Sequence, residues 1–184
     1  MYTSPSLFNT DLDEILLEHG RLRLYAHFLP DQEANDLFCR LQQQVSWRQD
    51  SLVFGGKSVL IPRLQAWFGD EGTHYTYSGL TLNPEAWTPD LYSLKQKIED
   101  ATQLTYNSLL VNYYRDGRDS IAWHSDDEPE LGRNPVIASL SLGATRSFRL
   151  KRKDKALQKN YKLDLSSGAL LVLDGEIQHF WQHS

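Results

Sequence analysis

Apolar and polar residues alternate with a two-residue period over Arg21-Leu22-Arg23-Leu24-Tyr25, the pattern of a half-buried strand. The period then lengthens. From Asp31, read as an N-cap, the residues Ala34, Leu37, Phe38, Leu41 and Val45 fall on one stripe and predict a helix to about Val45. Residues 50–80 are rich in aromatics and broken by Gly55-Gly56 and Pro62, which predicts strands joined by tight turns. A second helix is predicted over about 89–102, with Leu91, Leu94, Ile98 and Ala101 at helical spacing. Beyond Asn107 the texture changes to short strands, at 107–115, 136–142, 147–151, 161–165, 169–173 and 178–183. Turn signals at Asp116-Gly117, Leu142-Gly143 and Ser166-Ser167-Gly168 separate several of them. Helices followed by a string of strands predict an α+β chain in which N-terminal helices pack on an all-β core, a sandwich or a jelly roll.

The 184 residues are enough for one domain with a sizeable core. Residues 1–20 read as an N-terminal extension carrying Asp11, Asp13, Glu14 and Glu18, without the basic-then-apolar plan of a signal peptide. No apolar run is long enough for a membrane helix. The single cysteine, Cys39, excludes an intramolecular disulfide and a cysteine zinc cage, so the chain is expected to be a cytoplasmic protein. The net charge of −5 argues against nucleic acid only if its distribution is ignored. Residues 146–162 hold eight basic side chains against one acid, Asp154. A solvated hairpin accounts for that run, and a phosphate-binding surface is compatible with it.

The first candidate chemistry is His124-Ser125-Asp126. On a strand, positions i and i+2 face the same way, so both side chains can reach one metal. A third ligand from a later strand would complete two histidines and a carboxylate on one face of an iron, leaving the opposite face open. The pair alone is a weak signal, since a solvated His and Asp explain it equally well. His179 and His183 are both candidates for the third position, and parity does not choose between them on one strand. Asn112 and Tyr114, also two apart, share a strand face.

The surroundings of these residues carry a resemblance. The stretch 106–135, with Asn112-Tyr113-Tyr114 and Trp123-His124-Ser125-Asp126-Asp127-Glu128-Pro129 inside it, closely resembles the metal-site region of the AlkB family. The likeness extends to Pro62-Arg63-Leu64-Gln65-Ala66-Trp67-Phe68-Gly69-Asp70, Tyr75-Thr76-Tyr77-Ser78-Gly79, Ile137-Ala138-Ser139-Leu140-Ser141-Leu142-Gly143 and Phe180-Trp181-Gln182-His183-Ser184. It spans about 50–184 and is strongest to the branch that repairs alkylated DNA and RNA.

The resemblance implies a single dioxygenase domain over 21–184, with a nucleotide-recognition lid at 50–80 and a double-stranded β-helix (jelly-roll) core at 107–184. It implies Fe(II) held by His124, Asp126 and His183, since the family's third ligand follows an aromatic-rich stretch. His179 is then expected to be a half-buried strand histidine. It further implies that Asn112 and Tyr114 hold the co-substrate 2-oxoglutarate, with O2 as second co-substrate. On the substrate side, Tyr75 and Tyr77 match lid positions, Phe54 matches a hairpin-tip wedge, and Asp127 and Glu128 are placed to accept from an exocyclic amino group. The implied activity is oxidative demethylation of N1-methyladenine or N3-methylcytosine type bases in DNA or RNA, releasing formaldehyde, by a monomer. The alternatives are a sibling hydroxylase or demethylase acting on a protein or small molecule, and a metal-bearing nucleic-acid binder without turnover. The family also carries arginines on the strand after its last histidine ligand, whereas this sequence stops at Ser184. Because every earlier block is intact, truncation of a longer protein is the expected explanation, ahead of a natural variant with impaired co-substrate binding.

Overall fold

In the computed structural model, residues 12–73, 75–77, 80–82, 84–154, 156 and 159–184 are described, with backbone alone at Phe54, 75–77 and 80–82. In chain order the first elements are β1 (Leu12–Leu17), β2 (Gly20–Tyr25), α1 (Asp31–Gln44), β3 (Ser51–Phe54), β4 (Lys57–Leu60) and β5 (Leu64–Gly69). They are followed by β6 (Tyr75–Tyr77), β7 (Leu80–Leu82), α2 (Pro89–Thr102) and β8 (Ser108–Tyr113). The last are β9 (Ile137–Leu140), β10 (Arg146–Arg152), β11 (Asn160–Leu165), β12 (Leu170–Gly175), α3 (Ile177–Phe180) and β13 (Trp181–His183). The chain divides into two compact units.

The described residues of the first unit lie within 12–39, 125–127 and 133–183. Its larger sheet is antiparallel, in the order β1-β2-β12-β9, and its smaller sheet has the order β11-β10-β13. Leu170, Leu171, Val172 and Leu173 are at most 1% exposed, so β12 reads as a continuous apolar run because it is buried on both faces. The core cluster joins Leu17, Leu22, Leu171 and Leu173 of the larger sheet to Leu150, Leu165 and Trp181 of the smaller, with Ile177 beside them. Two antiparallel sheets facing across one apolar layer form a jelly-roll core, one of the two architectures, sandwich or jelly roll, that the strand pattern predicts.

The second unit comprises residues 40–124, 128–132 and Ser184. Here β5 pairs with β8, and β3–β4 and β6–β7 form hairpins. The tip of β3–β4 is Gly55-Gly56 with φ of +56° and +77°, a turn in which both residues need the left-handed region that glycine tolerates. Helix α2 starts where its sequence says: Thr88 Oγ1 accepts from the Leu91 N–H at 3.3 Å and Pro89 follows at the first helical position. Leu91 and Leu94 are buried.

Four local expectations change. Residues 12–17, read only as part of an acidic extension, form β1; its alternation is masked because Leu12 and Leu16 are exposed while Ile15 and Leu17 turn inward. Asp31 does not cap α1: the Ala34 N–H already donates to the Pro30 carbonyl, which places Asp31 inside the first turn, where its charge suits the helix dipole. The stretch 178–183 is not one strand, because 177–180 turn as a short helix before β13 begins. Residues 124–126 lie outside the strands rather than on one.

Candidate metal centre

Outside the named strands, Ser125 and Asp126 are held by hydrogen bonds to residues near position 180. Ser125 Oγ donates to the Trp181 carbonyl at 2.8 Å, and the Asp126 N–H donates to Gln178 Oε1 at 2.9 Å. Gln178 is 1% exposed, so its acceptor is fixed by packing. Its own backbone carbonyl accepts from Lys153 Nζ at 2.8 Å.

These bonds hold Asp126 against His183, with Asp126 Oδ2 at 3.5 Å from His183 Nε2. His183 ends β13, where pairing with Leu150 of β10 sets its register. Its ring stacks on Phe148, with centroids 5.4 Å apart and planes at 22°, which restricts its rotation. His124 is oriented from within its own loop: Nδ1 lies 2.9 Å from the Ala122 carbonyl. A carbonyl only accepts, so the Nδ1 carries the proton and Nε2 is the lone-pair donor. One ligand atom from each of His124, Asp126 and His183 lies within 4.8 Å of the other two. Two imidazoles and a carboxylate at that separation fit a divalent iron bound on one face.

His179, the other candidate for the third position, sits elsewhere. The helical turn of α3 directs it to the Arg133 carbonyl and, at 2.9 Å, to Asn134 Oδ1. It is exposed rather than a half-buried strand residue.

The remaining predicted residues fall into three groups. Asn112 lies on β8 and Tyr114 just beyond it, both half-buried; Asn112 Oδ1 accepts from Arg63 Nε at 2.9 Å. Asp127 is exposed and ion-paired with Lys153 Nζ at 3.0 Å, while Glu128 is half-buried at the start of the short turn 129–131. Phe54 closes β3 beside the diglycine turn and Tyr75 and Tyr77 lie on β6, but all three side chains lie outside the described residues.

The loop that leads to His124 has its own clamp. Asp119 accepts from the Arg115 guanidinium at 2.7 and 2.9 Å and from the Arg115 backbone N–H at 3.0 Å. Those bonds hold the Asp119 carboxyl down at about 2. Ser120 N–H then donates to the Pro62 carbonyl at 2.9 Å.

Ser125, Gln178, Lys153 and Arg63 have roles here that the sequence pattern does not assign. Ser125 carries a signal, since it lies between two candidate ligands. Gln178 and Lys153 carry none, because their partners are 52 and 25 or more positions away in the chain.

Comparison with known proteins bears on this geometry. The profile of the 2OG-Fe(II) oxygenase superfamily matches residues 21–184. The chain is 44% identical over 172 residues to the alpha-ketoglutarate-dependent dioxygenase alkB homolog 3 of Rattus norvegicus, covering 89% of this chain and 58% of that protein. It is 40% identical over 162 residues to the DNA oxidative demethylase ALKBH2 of Mus musculus, covering 83% of this chain and 67% of the relative. The chain thus spans a little under three fifths of the length of the alkB homolog 3 relatives it matches. The solved structure of OsALKBH1 superimposes with a TM-score of 0.62 at 19% identity, covering 93% of this chain and 86% of that one, a likeness of fold.

Proposed function

Because the chain belongs to the AlkB family of the 2OG-Fe(II) oxygenase superfamily, we propose that it oxidatively demethylates N-alkylated bases of DNA or RNA at a centre built from His124, Asp126 and His183. The observation that carries this reading is the cluster of those three side chains, with ligand atoms within 4.8 Å. When bound, Fe(II) and 2-oxoglutarate supply the oxidation of the methyl group by O2, with loss of carbon dioxide from the co-substrate.

The chain's own residues position and select. His124 Nε2, the Asp126 carboxylate and His183 hold the metal, and Gln178 and Ser125 keep the loop 124–126 in place. Asn112 and Tyr114 hold the co-substrate. The lesions N1-methyladenine and N3-methylcytosine carry a positive charge, which suits Asp127 and Glu128 as acceptors from the base edge. Asp127 must then share its carboxylate with Lys153 or release it. Tyr75 and Tyr77 are assigned to stacking on the base and Phe54 to the wedge. The base-directed reading draws its support from relatives whose names include a DNA oxidative demethylase.

The test is to incubate the protein with Fe(II), 2-oxoglutarate, O2 and an oligonucleotide carrying N1-methyladenine, measuring formaldehyde and succinate together. Formaldehyde should appear only with the methylated strand, matched by an equal amount of succinate above that formed without nucleic acid. Succinate formed in full on a protein or small molecule, with no formaldehyde from any methylated oligonucleotide, refutes the base-directed reading. Oligonucleotide binding with neither product identifies a binder.

A further inference from the structure

Lys153 joins separate parts of the chain through three hydrogen bonds. It follows β10 directly, and its backbone N–H donates to the Phe180 carbonyl at 2.9 Å, which ties the end of that strand to α3. Its Nζ donates to the Gln178 carbonyl at 2.8 Å and to Asp127 Oδ2 at 3.0 Å. Gln178 is buried, so the ammonium is anchored on an interior residue while it holds a half-exposed carboxylate. The Lys162–Asp164 pair is of another kind: its ions are 3.3 Å apart, both side chains are largely exposed, and the two residues lie two positions apart on β11. Exposed pairs of that sort contribute little. An ammonium fixed by a buried residue can hold its carboxylate in one place.

Gln178 thereby governs two adjacent carboxylates. Its Oε1 accepts the Asp126 N–H at 2.9 Å, and its carbonyl accepts from the lysine that holds Asp127. Asp126 is turned to His183, with Oδ2 at 3.5 Å from Nε2, while Asp127 is drawn to Lys153. Neighbouring carboxylates repel, and a divalent cation attracts both. The ammonium offers Asp127 a different cation. It engages Oδ2; Asp127 Oδ1 has no hydrogen-bond partner among the described residues, so an acceptor is left next to a candidate metal ligand. A carboxylate held in place discriminates where a mobile one does not. It accepts from an N–H, but a carbonyl facing it leaves two acceptors opposed and unpaired. A mobile carboxylate escapes that penalty by swinging into solvent, and the discrimination goes with it.

We propose that Lys153 is a positioning residue that sets substrate specificity. It fixes Asp127 so that Oδ1 reads the exocyclic group of the base, favouring lesions that carry an amino group there over those that carry a carbonyl. This rests on the reading of the chain as a base demethylase. Lys153 touches neither metal nor base in this role and acts through Asp127.

The test is the ratio of kcat/KM for two oligonucleotides that differ only in the lesion, 3-methylcytosine or 3-methylthymine. Both bases carry the methyl group on the same ring nitrogen, and they differ at position 4, an amino group against a carbonyl. A loss at the metal or at the phosphates lowers both strands alike and cancels in the ratio. Wild type should favour 3-methylcytosine, and Lys153→Met should cut that preference about tenfold, the scale of one charge-assisted hydrogen bond. Lys153→Arg restores a cation and should recover most of it. In an Asp127→Ala background Lys153→Met should move the ratio by no more than about twofold, because its route to the base is gone. A wild-type ratio in Lys153→Met overturns the proposal, even where activity on both strands falls, and assigns Lys153 to the metal loop or the phosphates. Effects of the two substitutions that multiply overturn it as well, since Lys153 then acts without Asp127. If Lys153→Met does not fold, Lys153→Gln decides: it keeps a donor for the Gln178 carbonyl but no charge for Asp127, and an undiminished preference in it overturns the proposal. An active wild type with no preference between the strands overturns this proposal alone. A wild type that demethylates neither strand overturns the base-directed reading, and this proposal with it.

Discussion

Replacing Gln178 by leucine should separate metal affinity from stability. Gln178 is 1% exposed; its Oε1 accepts the Asp126 N–H at 2.9 Å, and its Nε2 is buried without a hydrogen-bond partner among the described residues. The substitution has two opposed effects on folding. It removes one hydrogen bond, a loss of about 1–1.5 kcal/mol, and it removes an unsatisfied buried donor whose desolvation costs about 1–3 kcal/mol. Leucine is close enough in volume to fill the site. The net change should lie within about 1.5 kcal/mol of zero, and the metal-free melting temperature should move by no more than about 6 °C in a domain of this size. Metal binding has no such compensation. The Asp126 backbone loses the side chain that holds it against His183, and loss of such a supporting partner typically weakens metal binding about 10–100-fold. Mn(II) titration followed by EPR, paired with a thermal melt of the metal-free protein, reads both quantities. A variant that keeps Mn(II) affinity within about twofold while melting more than about 10 °C lower would show that Gln178 supports the fold and not the centre.

Other outcomes follow from the same geometry. The Asp119 carboxyl titrates at about 2 when folded, against an ordinary 3.8. Its contribution to stability is therefore complete above 3.8 and lost as pH falls from there toward about 2; Asp119→Asn should lower stability near neutrality, with the gap to wild type closing through that window, and parallel stability–pH curves would refute the assignment. A Cβ at Gly20 would meet the Asp174 carbonyl and Ile177 Cγ1, each at 2.6 Å, so Gly20→Ala should cost about 1–3 kcal/mol in urea unfolding; an unchanged midpoint counts against the close approach of β2 to Ile177. Asp127→Asn should raise KM for a cationic methylated oligonucleotide severalfold while leaving succinate formation without nucleic acid intact. Equal losses in both would place Asp127 in service of the metal instead.

Regular elements are readable from the sequence where one periodicity dominates a long enough run. Helix α2 matches the 3.6-residue stripe of Leu91 and Leu94 and the pyrrolidine at Pro89. Strand β12 is visible as a continuous apolar run because both its faces are buried. Strand β1 is not, because an exposed Leu16 between inward Ile15 and Leu17 erases the alternation. The proposed metal ligands can be named without knowing the backbone that carries them. The i, i+2 spacing of His124 and Asp126 suggests a strand, but the segment is a loop, and what aligns it is a pair of hydrogen bonds to residues 178 and 181. Separating His179 from His183 requires the helical turn at 177–180, which the aromatic, strand-like content of 180–183 conceals. Arg63 and Gln178 act through contacts 49 and 52 positions distant, and local pattern carries no record of such pairs.

Pulsed EPR of the Mn(II)-loaded chain, counting the imidazole nitrogens coupled to the metal, tests most directly whether His124, Asp126 and His183 hold one divalent metal. The expected result is one Mn(II) per chain with two coupled imidazoles in wild type and in His179→Ala, and one in each of His124→Ala and His183→Ala. Two imidazoles retained in His183→Ala, or one lost in His179→Ala, would contradict the assignment.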